Sequence, residues 1–90
     1  MNHIINHTIG TANVWEEVAL GLDQAIYSLD MQARTAIAFI YKYSLTPTTY
    51  FTVKSGDLRT HSLTVPRKTR LFVQCATLGT VIEIEMKTQP

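Results

Sequence analysis

Apolar and polar positions alternate along the second half of the chain, which is the pattern of β-strands. The alternation predicts strands over residues 35–44, 50–54, 58–65, 70–76 and 80–88. In the last of these, apolar and charged residues take opposite faces: Ile82, Ile84 and Met86 on one, Glu83, Glu85 and Lys87 on the other. This is typical of an antiparallel strand with one face buried and the other in solvent.

Turn-forming residues separate these predicted strands. Proline interrupts the alternation at residues 45–48 and 66–69, because proline has a fixed φ and no N–H to donate to a sheet. Residues 55–57 (Ser-Gly-Asp) and 78–79 (Leu-Gly) predict tight hairpins between the strands on either side of them. The second half therefore reads as short strands joined by short turns.

The first third of the chain fits two interpretations. Over residues 13–33, apolar residues recur at the helical spacings of three and four: Trp15, Val18, Ala19, Leu22, Ile26, Leu29 and Ala33. Gly21 would lie inside such a helix at a cost of about 1 kcal/mol. The other interpretation places strands at residues 13–20 and 25–29, joined by a turn at 21–23. The pattern alone favours neither.

Length and composition favour one small domain built from strands. Of the 90 residues, 27 are threonine, isoleucine or valine, whose branched side chains fit sheets better than helices. We therefore expect an all-β fold, a small antiparallel β-sandwich or jelly-roll-like domain of about seven or eight short strands. The alternative is an α+β fold with a helix at about residues 13–33. Residues 1–12 are interpreted as an extended N-terminal arm, and residues 13–90 as the single β domain.

The charge balance and the single cysteine exclude several classes of protein. A net charge of +1 lacks the basic excess of a protein whose main partner is nucleic acid, so no specific nucleic-acid binding is expected. No run of about 18 apolar residues occurs, so we expect no membrane-spanning helix and no membrane partner. Cys75 is the only cysteine, which excludes an internal disulfide.

Few residues could support catalysis or metal binding. His3 and His7 share one face of a strand or helix, but no Cys, Asp or Glu nearby in sequence completes the ligand set that zinc needs. Cys75 could act as a nucleophile only if a histidine such as His61 lowered its pKa. Its place in an alternating strand favours a buried core thiol instead. We therefore expect a protein that is not an enzyme and has no cofactor and no metal.

Three groups of residues are candidates for a protein interface: the arm residues Ile4, Ile5 and Ile9, the aromatic residues Trp15, Tyr41, Tyr43 and Tyr50, and the basic residues Arg67, Lys68 and Arg70. The basic residues form the densest positive cluster of the chain and would suit an acidic patch on another protein. Aromatic side chains with a polar tip are favoured at interfaces. Tyr41 and Tyr43 fit a core face equally well.

The last seventy residues resemble the small β-sandwich virion proteins that tailed bacteriophages encode among their structural genes. The resemblance rests on five segments: AIYSLDMQAR, TAIAFIYKYS, YFTVKSGD, TRLFVQCAT and GTVIEIEMKT. They cover roughly residues 20–88 and include no catalytic signature. The resemblance implies strands rather than a helix in the first third, and a non-enzymatic building block of a virion.

The resemblance implies a capsid cement or decoration subunit that binds the major capsid protein and neighbouring copies of itself. A homo-oligomer located in the virion, after synthesis in the cytoplasm of the host bacterium, is therefore expected. A head–tail connector, tail or fibre-attachment component is the alternative within the same class. The alternative of another class is a small cytoplasmic α+β protein with a regulatory or ligand-binding role.

Overall fold

A computed structural model describes residues 2–18, 26–43, 45, 49–61 and 70–88. They form eight β-strands and no helix: β1 (Asn2–Thr8), β2 (Glu16–Val18), β3 (Ile26–Ala33), β4 (Phe39–Lys42), β5 (Phe51–Val53), β6 (Arg59–His61), β7 (Leu71–Gln74) and β8 (Val81–Thr88). The strands lie in two four-stranded sheets, with the orders β1-β8-β3-β6 and β2-β7-β4-β5. All neighbouring strands are antiparallel. The expected all-β sandwich is confirmed.

The strand pairing is nested from the ends of the chain to its middle. Strand β1 pairs with β8, β2 with β7, β3 with β6 and β4 with β5. The chain is thus one long antiparallel hairpin, folded over so that successive pairs alternate between the two sheets. This is the topology of an eight-stranded jelly roll.

The helical alternative for residues 13–33 is wrong for the residues that the structure describes. Strand β2 pairs with β7, and strand β3 pairs with both β6 and β8. Residues 19–25, which include the predicted turn at 21–23, lie outside the described residues. A register shift in β3 between Ile26 and Ser28 accounts for the spacing of three between Ile26 and Leu29, because such a bulge interrupts the period of two.

The two hairpins predicted at residues 55–57 and 78–79 are wrong. Strands β5 and β6 lie in different sheets, and so do β7 and β8. The turns themselves are present, since Gly56 and Gly79 have φ angles of 82° and 84°, which glycine adopts without strain. After the second turn, the Ile9 N–H donates to Thr80 O at 2.8 Å and the Gly79 N–H donates to Ile9 O at 3.0 Å. These bonds direct β8 towards β1 rather than back along β7.

One apolar core fills the space between the sheets. It is built from buried residues of both sheets and of the loops beside them: Ile9, Val18, Leu29, Met31, Phe39, Tyr41, Val53, Leu71, Val73, Cys75, Ile82, Ile84 and Met86. The alternation predicted for residues 80–88 is confirmed, because Ile82, Ile84 and Met86 have no exposed surface. Ile37 and Tyr43 pack against the same core and are partly buried.

The predicted N-terminal arm belongs to the sandwich. Its residues 2–8 form β1, which pairs with β8 from Asn2 opposite Lys87 to Thr8 opposite Val81. Ile5 packs against the core and Ile9 is buried within it. Burial of these two apolar side chains holds the segment in place as an edge strand of the first sheet.

Candidate protein interface

Two aromatic side chains from opposite edges of the second sheet meet over its outer face. Trp15 precedes β2 and Tyr50 precedes β5, and these strands form the two edges of that sheet. Their ring centroids are 6.3 Å apart at an interplanar angle of 56°. Tyr50 is 53% exposed and Trp15 is partly buried. Both residues were predicted from the sequence as interface candidates, but their contact with each other was not.

Lys42 lies against the Trp15 ring of this pair. Tyr41 points into the core, so the alternation of β4 places Lys42 on the outer face. Its ammonium is 4.4 Å from the centroid of the Trp15 ring, and it donates a long hydrogen bond of 3.5 Å to Leu45 O. Lys42 is therefore a buried cation held by an aromatic face. We call Trp15, Lys42, Leu45 and Tyr50 the aromatic patch.

The sequence-predicted basic residue Arg70 lies on the same outer face. It forms a two-point ion pair with Glu17, in which its Nη2 and Nε atoms donate at 2.8 and 3.1 Å. The pKa of Glu17 is lowered, chiefly by the hydrogen bond from Arg70. The guanidinium also covers the ring of Phe72, 4.8 Å from the ring centroid. Arg67 and Lys68, the other members of the predicted basic cluster, lie outside the described residues.

The outer face of the first sheet carries an open groove with acidic and apolar walls. The groove is lined by Ile4, Asp30, Gln32, Leu58, Glu83 and Glu85. Ile4 and Leu58 are 71% and 59% exposed. Glu83 accepts hydrogen bonds from Gln32 Nε2 at 3.0 Å and Arg34 Nε at 3.1 Å. The bond from Arg34, followed by that from Gln32, lowers the pKa of Glu83.

Asp30 and Glu85 occupy opposed positions within this acidic groove. They are register partners on β3 and β8, so two carboxylates face each other across the pair. Asp30 Oδ1 is buried and has no hydrogen-bond partner among the described residues. Like charges in directly opposite positions destabilise an antiparallel pair. The acidic groove is therefore suited to a cationic group from a binding partner.

Two of the predicted interface residues belong to the core instead. Tyr41 has no exposed surface, and its hydroxyl accepts a hydrogen bond of 3.0 Å from Arg59 Nε. Ile9 is 1% exposed. Tyr43 is partly buried, and its pKa is raised by burial and by the neighbouring Tyr41. Ile5 is also partly buried, whereas Ile4, the remaining residue of the predicted arm group, is largely exposed.

Two of the residues considered for metal binding or catalysis, His7 and Cys75, have other contacts. His7 Nε2 lies 2.8 Å from Glu16 Oε1. Within the described ranges, no three or more His, Cys, Asp or Glu side chains come together as metal ligands. Cys75 is buried, and its thiol lies 3.6 Å from Ala38 O and 3.7 Å from Thr80 Oγ1. These contacts are those of a packed core thiol.

No protein-family model, curated protein or solved structure matches this chain. The described residues contain no helix of the length and apolarity needed to span a membrane.

Proposed function

We propose that this protein is a non-enzymatic structural subunit of a tailed-phage virion. Its role in the proposal is that of a capsid cement or decoration subunit, which binds the major capsid protein and neighbouring copies of itself. The observation that carries the proposal is the nested pairing of eight strands, because the jelly roll is a recurrent architecture of viral capsid proteins. The resemblance of residues 20–88 to small virion proteins supports it.

Jelly rolls also occur in lectins and cupins, so the topology alone does not determine the function. The side chains exposed on the surface also favour a binding role. Large apolar side chains are exposed on both sheets and the loops beside them: Ile4, Leu45, Tyr50, Phe51 and Leu58 are each 47–71% exposed. Apolar side chains grouped on an otherwise polar surface are typical of protein-binding sites. The aromatic patch has the composition of an interface centre, where tyrosine and tryptophan dominate binding energy.

The two outer faces differ in charge, which suits a subunit with two kinds of neighbour. The aromatic patch contains the buried cation Lys42, whereas the acidic groove contains the opposed carboxylates of Asp30 and Glu85. In our proposal the aromatic patch binds the capsid protein, since aromatic side chains give up little conformational freedom on binding. The acidic groove then contacts a basic segment of an adjacent subunit.

Quantitative mass spectrometry of density-purified virions tests the proposed location. A copy number on the order of hundreds per particle supports a cement or decoration subunit, because the shell repeats its binding site many times. About six or twelve copies would instead assign the protein to the head–tail connector or the tail, which have rotational symmetry of low order. Absence of the chain from purified particles would contradict the virion role.

The proposed binding surface is tested with particles that have been stripped of this protein. Tyr50→Ala should weaken rebinding by about 1–2 kcal/mol or more, the loss expected for an aromatic residue at the centre of an interface. Thr52→Ala is the matched control, because Thr52 is also exposed and lies on β5, two residues after Tyr50. Equal binding of both variants would exclude the aromatic patch as the contact.

A further inference from the structure

Within the described residues, β1 is the longest of the four edge strands of the sandwich. The first sheet ends on β1 and β6, and the second sheet ends on β2 and β5. Strand β1 has seven residues, whereas each of the other three edge strands has three residues in the described part of the chain. Long edge strands without lysine, proline or acidic residues are open to pairing with another strand. The sequence of β1, NHIINHT, contains none of these residues.

The unpaired backbone groups of β1 can be assigned from the bonds of Ile9. Ile9 directs both its N–H and its C=O towards residues 79 and 80, on the side of β8. In an antiparallel strand, successive residues direct these groups to opposite sides. The N–H and C=O groups of Ile4, Asn6 and Thr8 therefore point away from β8. In the part of the chain that the structure describes, no strand lies along that side.

We propose that β1 pairs with β1 of a second copy of this chain, antiparallel and about a twofold axis. The two first sheets then form one continuous sheet of eight strands, four from each copy. Residues that point to the open side exchange the hydrogen bonds between copies. In the proposed register, Ile4 pairs with Asn6 of the second copy and Asn6 with its Ile4. Ile5 then lies on the axis, opposite Ile5 of the second copy.

The side chains of β1 are complementary to themselves in this register. Ile5 and the flanking His3 and His7 share the inner face, because they lie opposite Met86, Ile84 and Ile82, which are core residues. The pair of Ile5 side chains extends the apolar core across the axis. His3 lies opposite His7 of the second copy, and His3 Nε2 is a buried atom without a hydrogen-bond partner among the described residues.

A second copy is favoured over a different protein as the occupant of this edge. An added strand must match the alternation of β1, with an apolar side chain opposite Ile5 and polar side chains on both sides of it. A second copy of β1 that runs antiparallel to the first meets that requirement. The domain also has a thin core, and a partner that binds only the folded form increases its stability. The inference goes beyond the virion role and does not depend on it.

The variant Ile5→Cys tests the pairing and its register together. Opposite residues that exchange no hydrogen bonds have Cα atoms about 4.5 Å apart, within the range that a disulfide spans. The two introduced thiols on the axis would have an effective concentration of order millimolar, so oxidation should cross-link this variant at least roughly tenfold faster than an unpaired surface thiol. The readout is a dimer band on a non-reducing gel, which a reductant removes.

Two controls make the result specific. Thr52→Cys places a thiol on the exposed outer side of β5, far from the proposed axis, and measures random encounter. The native thiol of Cys75 is 2% exposed, so the unmodified chain should give no cross-link. Equal rates for Ile5→Cys and Thr52→Cys would overturn the proposal.

Sedimentation velocity of the unmodified chain gives an independent test. We expect a dimer whose population rises with protein concentration, and we expect Asn6→Pro to be monomeric. Proline at this position removes an N–H that points to the open side and leaves the bonds to β8 in place. Should Asn6→Pro fail to fold, the cross-linking result and the unmodified chain still decide the question. A monomer at every concentration would overturn the pairing, whatever the result of the virion measurement.

Discussion

The imidazole of His7 and the carboxylate of Glu16 join the two sheets at 2.8 Å, between Nε2 and Oε1. His7 lies on β1 of the first sheet and Glu16 on β2 of the second. The other carboxylate oxygen accepts the N–H groups of Gly10 at 3.0 Å and Thr11 at 2.8 Å. The Glu16 side chain therefore stabilises the loop that connects β1 in the first sheet to β2 in the second.

Glu16→Ala should destabilise the fold by about 1–3 kcal/mol, because it leaves two backbone donors and an imidazole without their charged acceptor. Urea unfolding at neutral pH measures this loss. Glu17→Ala is the matched control, since its ion pair with Arg70 is exposed to solvent and should contribute much less to stability. A smaller effect for Glu16→Ala than for Glu17→Ala would show that the loop is not held by this carboxylate.

The stability difference should depend on pH in a defined direction. Burial acts to raise the pKa of Glu16, but the hydrogen bonds from His7, Thr11 and Gly10 outweigh it and the pKa is lowered. A carboxylate whose pKa is lower in the folded state stabilises the fold above its unfolded pKa of about 4.3. That contribution is lost as the pH falls through the folded pKa. The gap between the unmodified chain and Glu16→Ala should therefore close in acid, and a constant gap would contradict the assignment.

The period of two explains which parts of the fold the sequence could predict. In residues 81–87 and 37–43, each side chain faces the side that the alternation assigns to it, because one face of a strand must be buried. The turns at Gly56 and Gly79 were also predictable, since glycine marks a reversal of the chain. The sheet to which each strand belongs was not predictable, because pairing of residues 2–8 with 81–88 depends on contacts between the two ends of the chain.

The sequence could predict individual residues of the binding surface but not the contacts between them. The sequence identified Trp15 and Tyr50 as candidates, but their contact over Lys42 depends on the order of four strands. Glu16 and Glu17 are adjacent in the sequence, and no local signal distinguishes Glu16 as the residue that holds the loop in place. The burial of Tyr41 was not predictable either. The alternation of β4 assigns Tyr41 to the inner face, but it does not show that this side chain is fully buried in the core.

A second link between the sheets runs from β6 to β4. Arg59 Nε donates a hydrogen bond of 3.0 Å to the hydroxyl of Tyr41, and its guanidinium lies 5.2 Å from the centroid of the Phe51 ring. Tyr41→Phe should destabilise the fold by about 0.5–1.5 kcal/mol, because the ring still packs while the bond is lost. Thermal unfolding measures the change. Tyr50→Phe is the control, and its exposed hydroxyl should contribute less than about 0.5 kcal/mol.

The opposed carboxylates of Asp30 and Glu85 predict a substitution that stabilises the protein. Asp30→Asn removes the repulsion between register partners. It also removes the charge of a carboxylate whose Oδ1 is buried without a hydrogen-bond partner among the described residues, so a gain of about 0.2–1 kcal/mol is expected. Urea unfolding at low salt measures it, and added salt should reduce it because salt screens surface charges. Asp57→Asn, in an exposed turn, is the control. A loss of stability for Asp30→Asn would mean that this carboxylate has a stabilising contact.

The crossing from β7 to β8 depends on the backbone conformation of one residue. Gly79 has a φ of 84°, and a Cβ at this position would meet no atom within 4 Å. The penalty for Gly79→Ala is therefore conformational and should be about 1–2 kcal/mol.

Gly10→Ala is the matched control for this turn. A Cβ at position 10 would lie 3.6 Å from Glu16 Oε2, an ordinary contact, and this glycine does not have a positive φ. Gly10→Ala should change the free energy of unfolding only slightly, or increase it because alanine lowers the entropy of the unfolded chain. Urea unfolding of the two variants separates conformational strain from the general cost of adding a methyl group. Equal stability would show that position 79 accepts alanine, and that the bonds at Ile9 rather than the glycine determine the course of the chain.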